Sequence, residues 1–179
     1  MRPAPLRPAL LLPLALCAAC AGPLPAALPE RAAPPPPVAL SGEAQAVAAL
    51  AQRLFEAMAA RDTTALRALL HPRAAFVVVD SAGAVQRLTN LTPWVRSIGE
   101  SPVPVVERMT APPRVEVHGP LATLWVSYTL HVGSRFSHCG IDALDAVREN
   151  GRWTLLVLTF SMQRTGCEAL GGPAASAPR

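Results

Sequence analysis

Three strand-like runs close the chain, LATLWVSYTLHV, RFSHCGIDALDAV and RWTLLVLTFSMQ, separated by Gly133-Ser134 and Asn150-Gly151. Both dipeptides suit two-residue hairpin loops, whose positive φ angles match the twist of the flanking strands. Residues 121–163 therefore predict an antiparallel meander. Runs of about twelve residues exceed the usual strand length and call for a strongly curved sheet.

Upstream the period changes. Val47, Leu50, Leu54 and Met58 recur at three- and four-residue steps, with Ala51 in the same stripe and Ser41 placed to cap the helix they predict. Asp62 caps a second, shorter helix with Leu66, Leu69 and Leu70 inward, and His71-Pro72 stops it. AAFVVVD (residues 74–80) reads as a strand that turns at Ser81-Ala82-Gly83 into a weaker return strand near Val85–Leu88. Thr92-Pro93 predicts the start of a third short helix with Trp94 and Ile98 on one face, ended by Gly99. Residues 102–113 are irregular or edge-strand material, because prolines donate nothing to a central ladder. Arg114–His118 leads into the meander around a Gly119-Pro120 corner.

Counting back from two-residue turns sets a register. It places Trp125 beside Asp142 and Thr159, Ser127 beside Gly140 and Ser161, and Thr129 beside His138 and Gln163, all on one face. The other face then carries Leu124, Val126, Tyr128, Leu130, Ile141, Ala143, Leu158 and Phe160. The mixed face, with Trp125, Ser127, Thr129, Thr159 and Ser161, fits a pocket wall of apolar surface with a few polar groups. Alternating Ser and Thr also fit a solvated face. His138 and Asp142 are the acid–base candidates. Four residues apart on one strand, their Cβ atoms stand about 13 Å apart, too far for a hydrogen-bonded dyad. They can still address one bound molecule from two sides. An Asp against Trp125 would be desolvated, which raises its pKa and suits proton transfer.

Composition narrows the field. The chain has 179 residues and a net charge of +4. Within residues 43–168, however, twelve arginines meet eleven acids and no lysine occurs, so the folded part is close to neutral. No basic cluster marks one element, which argues against nucleic acid as a partner. The four histidines, at 71, 118, 131 and 138, lack metal-ligand spacing, and no cofactor fingerprint is present, so neither metal nor cofactor is expected.

The ends read differently. Arg2 and Arg7, the apolar residues 9–16 and Cys17-Ala18-Ala19-Cys20 have the order of an export signal. Cys20 after two alanines resembles the acylated cysteine of a bacterial lipoprotein, although Cys17 stands where that pattern prefers leucine; ordinary cleavage near Ala21 is the alternative. The expected organisation is a signal over 1–20, a Pro/Ala-rich linker over 21–42, a domain over 43–168 and a disordered tail over 169–179. The first 42 residues hold eleven of the twenty prolines. Such a linker is either a stiff spacer off the membrane or plain disorder. The exported compartment, periplasm or cell envelope, is oxidising. Cys139 and Cys167, the thiols left after processing, are then expected to form a disulfide, the alternative being two buried or free thiols.

FEAMAARDTTALRALLHPRAAFVVVD and GSRFSHCGIDALDAVRENGRWTLLVLTFSMQR resemble the opening and the final hairpin of the nuclear-transport-factor-2-like superfamily, with its polyketide-cyclase-like and lumazine-binding-like branches. The resemblance implies a cone-shaped α+β domain, a cystatin-like α+β roll in which helices pack on a strongly curved antiparallel sheet and leave a pocket at the open end. That superfamily holds isomerases, dehydratases and carriers, so it implies fold more than chemistry. The expected function is binding of a small apolar ligand. The alternatives are an isomerase or dehydratase using Asp142 and His138, and an interaction module that forms a homodimer through the sheet.

Overall fold

The computed structural model describes residues 40–173. The expected export signal with Cys20, and the expected linker up to residue 39, lie outside the described residues. Ser41 has extended backbone, and its side chain accepts from the Ala44 amide at 3.4 Å, which starts helix α1 (Gly42–Ala60). Arg61, in the left-handed region at φ 58°, ends it. Asp62 caps α2 (Thr63–Leu69) through two amides, Thr64 at 3.0 Å and Ala65 at 2.9 Å.

Strand β1 (Leu70–Asp80) follows with no loop, earlier than the apolar pattern suggests. Its first residues hold Pro72, and its pairing with the neighbouring strand is interrupted between Leu70 and Ala75, so the missing donor interrupts no ladder. A turn leads to β2 (Val85–Leu88), and α3 (Thr92–Glu100) starts one residue after Leu91, its N-cap; Asn90 accepts from the Thr92 amide. The proline-bounded stretch then forms an edge strand, β3 (Val105–Met109). After β4 (Arg114–His118) come the three long strands β5 (Leu121–Val132), β6 (Arg135–Glu149) and β7 (Arg152–Met162), then a 3-10 turn at Cys167–Leu170.

The strands form one sheet in the order β2-β1-β7-β6-β5-β3, with β4 also on β5. Every pair is antiparallel except β1 with β7. β3 takes the end of β5 from Tyr128 to Val132 and β4 takes the end from Leu121 to Trp125, so the long strand carries two short edge partners. The architecture is α+β, helices packed on a mixed, mostly antiparallel curved sheet.

The two hairpin turns are as the sequence predicts: Val132 pairs with Arg135 and Glu149 with Arg152. Between them the register moves by one residue. Leu130 pairs with His138 while His131 pairs with Phe136, leaving Ser137 as the extra residue of a bulge. A second bulge at Leu156 separates Asp145–Val157 from Ala146–Leu155. Asp142 therefore stands opposite Val126 and Phe160, and Trp125 opposite Ala143. This corrects the predicted faces, because one inserted residue exchanges every side chain between the two sides.

The core lies between α1 and the inner face of the sheet. Val47, Leu50, Leu54, Phe55 and Met58 of the helix bury against Leu124, Val126, Leu144, Leu155 and Leu158. Glu43, one residue into α1, accepts from the Trp153 indole at 3.0 Å and pairs with Arg148, tying the helix start to the last hairpin. Cys139 and Cys167 form a disulfide with 5.8 Å between their Cα atoms. Ala169 to Gly172, assigned from sequence to the tail, belong to the turn that this bond holds, and the Leu170 carbonyl accepts from the Thr110 hydroxyl.

Candidate functional site

The inner face does not close completely on the helices. A cavity of about 170 Å³ remains, walled by Leu54, Phe55 and Met58 of α1, Phe76 of β1, Trp94 of α3, Tyr128 and Leu130 of β5, Leu144 of β6, and Leu158 and Phe160 of β7. Three aromatic rings shape one side: Phe76 meets Trp94 edge-on at 4.5 Å and Phe160 at 6.1 Å. Glu107, His138 and Asp142 are the ionisable groups on an otherwise apolar lining, together with the Tyr128 phenol.

Asp142 is 3% exposed, and its Oδ2 has no hydrogen-bond partner among the described residues. Burial pushes its carboxyl up to about 7, against a small opposing contribution from a hydrogen bond with Glu107. Glu107 sits on the edge strand, half-buried as a residue but with its carboxyl in the cavity wall. Burial raises its pKa well above the ordinary value; the Asp142 charge and the hydrogen bond between the two carboxyls raise it further. Two carboxyls hydrogen-bond only through a proton, so the pair holds at least one near neutral pH, carried by Glu107 and directed at Asp142.

Tyr128 and His138 stand beside the pair. The Tyr128 ring meets His138 edge-on at 5.8 Å, and its hydroxyl donates to the Ser161 carbonyl at 2.9 Å. Burial and the Glu107 and Asp142 charges keep the phenol from ionising. Burial also lowers the His138 pKa, and the Arg164 charge adds to that, so the imidazole is neutral at pH 7. Its Nδ1 lies 3.0 Å from the Ser137 hydroxyl, on the bulge.

Of the residues assigned to the site from sequence, Asp142 and His138 line the cavity and the other five do not. Trp125 points outward and is 49% exposed. The Thr110 hydroxyl, whose own proton goes to the Leu170 carbonyl, accepts from the Ser127 hydroxyl at 2.7 Å, and Ser161 accepts from the Ile141 amide at 2.9 Å. Thr159, in the row of Trp125 and Ala143, shares their outer face. Thr129 is buried beneath the 3-10 turn, where the Gly172 backbone leaves room for its methyl group. The physical reason is the pair of one-residue bulges, at Ser137 between β5 and β6 and at Leu156 between β6 and β7. His138 and Asp142 came through because they lie beyond the bulge on β6, while β5 exchanged faces relative to them. Glu107 was missed; its signal, VVERM between two prolines, is that of a short alternating edge strand with an acid on the apolar side. No group of His, Cys, Asp or Glu suited to a metal ion occurs among the described residues.

A family profile described as "Putative lumazine-binding" matches residues 42–161. A nuclear-transport-factor-2-like protein from Pseudomonas putida is 20% identical, with 76% of this chain and 96% of that chain covered and a TM-score of 0.54. One from Cytophaga hutchinsonii is 11% identical over 69% of this chain and all of that one (100%), TM-score 0.57. A third, from Streptomyces avermitilis, is described as a "putative dehydratase" of the same superfamily; it is 17% identical over 69% and 97% of the two chains, TM-score 0.55. At these identities the likeness is one of fold. No curated protein matches the sequence.

Proposed function

The chain belongs to the "Putative lumazine-binding" family within the nuclear-transport-factor-2-like superfamily, and on that footing we propose that its cavity binds a small, mostly apolar molecule. The observation that carries this reading is the Asp142 Oδ2, buried in an apolar cavity without a partner among the described residues. A buried acceptor left unsatisfied costs about 1–3 kcal/mol, which a ligand donor recovers. The cavity, near 170 Å³, is smaller than the roughly 300–1,000 Å³ of drug-sized sites, so the ligand is small. Thermal-shift screening of the full chain against lumazine and single-ring aromatic compounds tests the reading. Binding is expected to raise the melting temperature and to be lost in Phe160→Trp, which fills the cavity. No shift with any compound would refute it.

Further, the protein is exported and anchored through Cys20, with residues 21–42 as spacer and residues 43–168 as the working domain. The Cys139–Cys167 disulfide suits an oxidising compartment such as the periplasm or cell envelope. No helix among the described residues is long and apolar enough to cross a membrane; in this reading the acyl chain on Cys20 is the anchor. Radiolabelled palmitate should mark the wild type and not Cys20→Ser; equal labelling sinks the anchor.

A second reading, proton transfer of the isomerase or dehydratase kind, is supported by Asp142 titrating near 7 and by a His138 with lowered pKa, both lining one cavity. Asp142→Asn should abolish any turnover found while leaving the fold intact. Exposed Leu121 and Trp125 support self-association through the outer sheet face as a third, which sedimentation across a concentration series decides.

A further inference from the structure

The cavity contains more information about its occupant than size. Its charged and titratable groups all come from one side: Glu107 of β3, Tyr128 of β5, and Asp142 and His138 of β6. The remaining elements of the wall, α1, α3, β1 and the neighbouring strand β7, contribute Leu, Met, Phe and Trp. Among the described residues, Arg164 is the cation whose charge is felt there; it acts on His138 and is itself exposed. No cationic side chain among the described residues lines the cavity opposite the carboxyl pair.

An anionic ligand would meet two carboxyls in a desolvated wall, where repulsion is strongest. A carbonyl ligand brings only acceptors to an oxygen that is itself an acceptor whenever Glu107 holds the shared proton. A donor is needed. An ammonium group supplies several N–H donors and a charge that favours the Asp142 carboxylate, and Phe76, Trp94 and Phe160 offer ring surface suited to a cation's apolar substituent and to the cation itself. Resting on the ligand-binding reading above, we propose that the occupant is a small aryl or alkyl amine, bound as its ammonium ion with an N–H group donating to Asp142 Oδ2 and its apolar body among the rings.

Binding then trades a proton for the ammonium. Asp142, which titrates near 7 in the free protein, becomes a carboxylate in the complex and releases a proton below that pH. Glu107 faces Asp142, and burial with the Asp142 charge favours its protonated form; burial likewise favours the un-ionised Tyr128 phenol and the neutral His138 imidazole, the Arg164 charge adding to the latter.

The test uses calorimetric titration of the full chain with benzylamine, benzyl alcohol and acetophenone at pH 6 and pH 8. Benzylamine affinity should rise about tenfold from pH 6 to pH 8, the fraction of ionised Asp142 growing by that factor. Benzyl alcohol should bind more weakly and show no such rise. Asp142→Asn should remove the pH dependence and at least about tenfold of the benzylamine affinity at pH 8, while keeping benzyl alcohol binding. Glu107→Gln, which leaves Asp142 in place, should keep the rise with pH and serves if Asp142→Asn does not fold. Tighter binding of benzyl alcohol or acetophenone than of benzylamine, or a benzylamine affinity equal at both pH values, overturns the amine and leaves a neutral-ligand cavity. Failure of all three compounds to bind overturns the amine together with the ligand-binding reading.

Discussion

The Tyr128 hydroxyl reaches the Ser161 carbonyl, 2.9 Å away, by crossing directly over Gly140. Tyr128 and Gly140 are paired across β5 and β6, and a Cβ on Gly140 would stand 1.9 Å from the Ser161 oxygen and 2.9 Å from the Tyr128 ring. Only glycine leaves room for a ring on β5 to bond to β7. Gly140→Ala should destabilise the fold by about 3 kcal/mol, since backbone as well as side chain must move. Tyr128→Phe should lose only about 1 kcal/mol, one hydrogen bond. Urea denaturation of the two variants checks the order; a Gly140→Ala variant as stable as wild type contradicts the close approach.

Cys139 and Cys167 are both fully buried and joined across a separation of 28 residues. Closing a loop of that size should stabilise the fold by about 3–4 kcal/mol on the chain-entropy estimate. Reduction, or Cys139→Ala with Cys167→Ala, should therefore lower the melting temperature by roughly 10 °C or more for a domain of this size. It should also expose Thr129, which the 3-10 turn covers. Thiol counting under denaturing conditions gives the companion measurement: two free thiols in the native, oxidised protein would refute the bond.

Trp125 faces solvent, whereas Trp153 is only 8% exposed and Trp94 packs on Phe76 at the cavity. Trp125→Phe should remove most of the emission that iodide quenches and leave ligand affinity unchanged. A change in affinity would return Trp125 to the cavity wall and contradict the register.

That register marks the boundary of what is legible in the chain. Gly133, Asn150 and Gly151 adopt positive φ (61°, 51° and 76°), as hairpin chemistry demands, so the turns could be read locally. The same holds for the caps at Ser41 and Asp62 and for the apolar stripe of α1. Ser137 and Leu156 carry no comparable mark. A bulge inserts an ordinary residue, and its position is decided by how the strands coil, not by a residue preference at that point. Nor does anything local announce that β1 runs parallel to β7, a pairing between strands far apart in the chain. Glu107 was hidden for the same reason: its partner Asp142 is two strands away, and only the curvature of the sheet brings the carboxyls together.

Asp142 should make the protein's stability fall as pH rises. Its folded pKa, about 7, lies above its ordinary value of 3.8. Between those values the folded state holds a proton that the unfolded chain has lost, so the contribution is fully present below about pH 4 and is lost on the way to pH 7. The steepest slope is ~1.4 kcal/mol per pH unit. Glu107, also raised by burial and by the Asp142 charge, has the same sign. His138 has the opposite sign: its lowered pKa gives stability that is present above its ordinary value of 6.5 and lost as pH falls from there. The raw curve is thus a sum of opposing contributions, and the difference between wild type and Asp142→Asn isolates the carboxyl. The variant should gain on wild type steadily from pH 4 to pH 7 and by a constant amount above. Urea titrations at unit pH intervals measure it; parallel curves for the two proteins would mean that Asp142 ionises like an exposed aspartate, and the cavity would lose its acid.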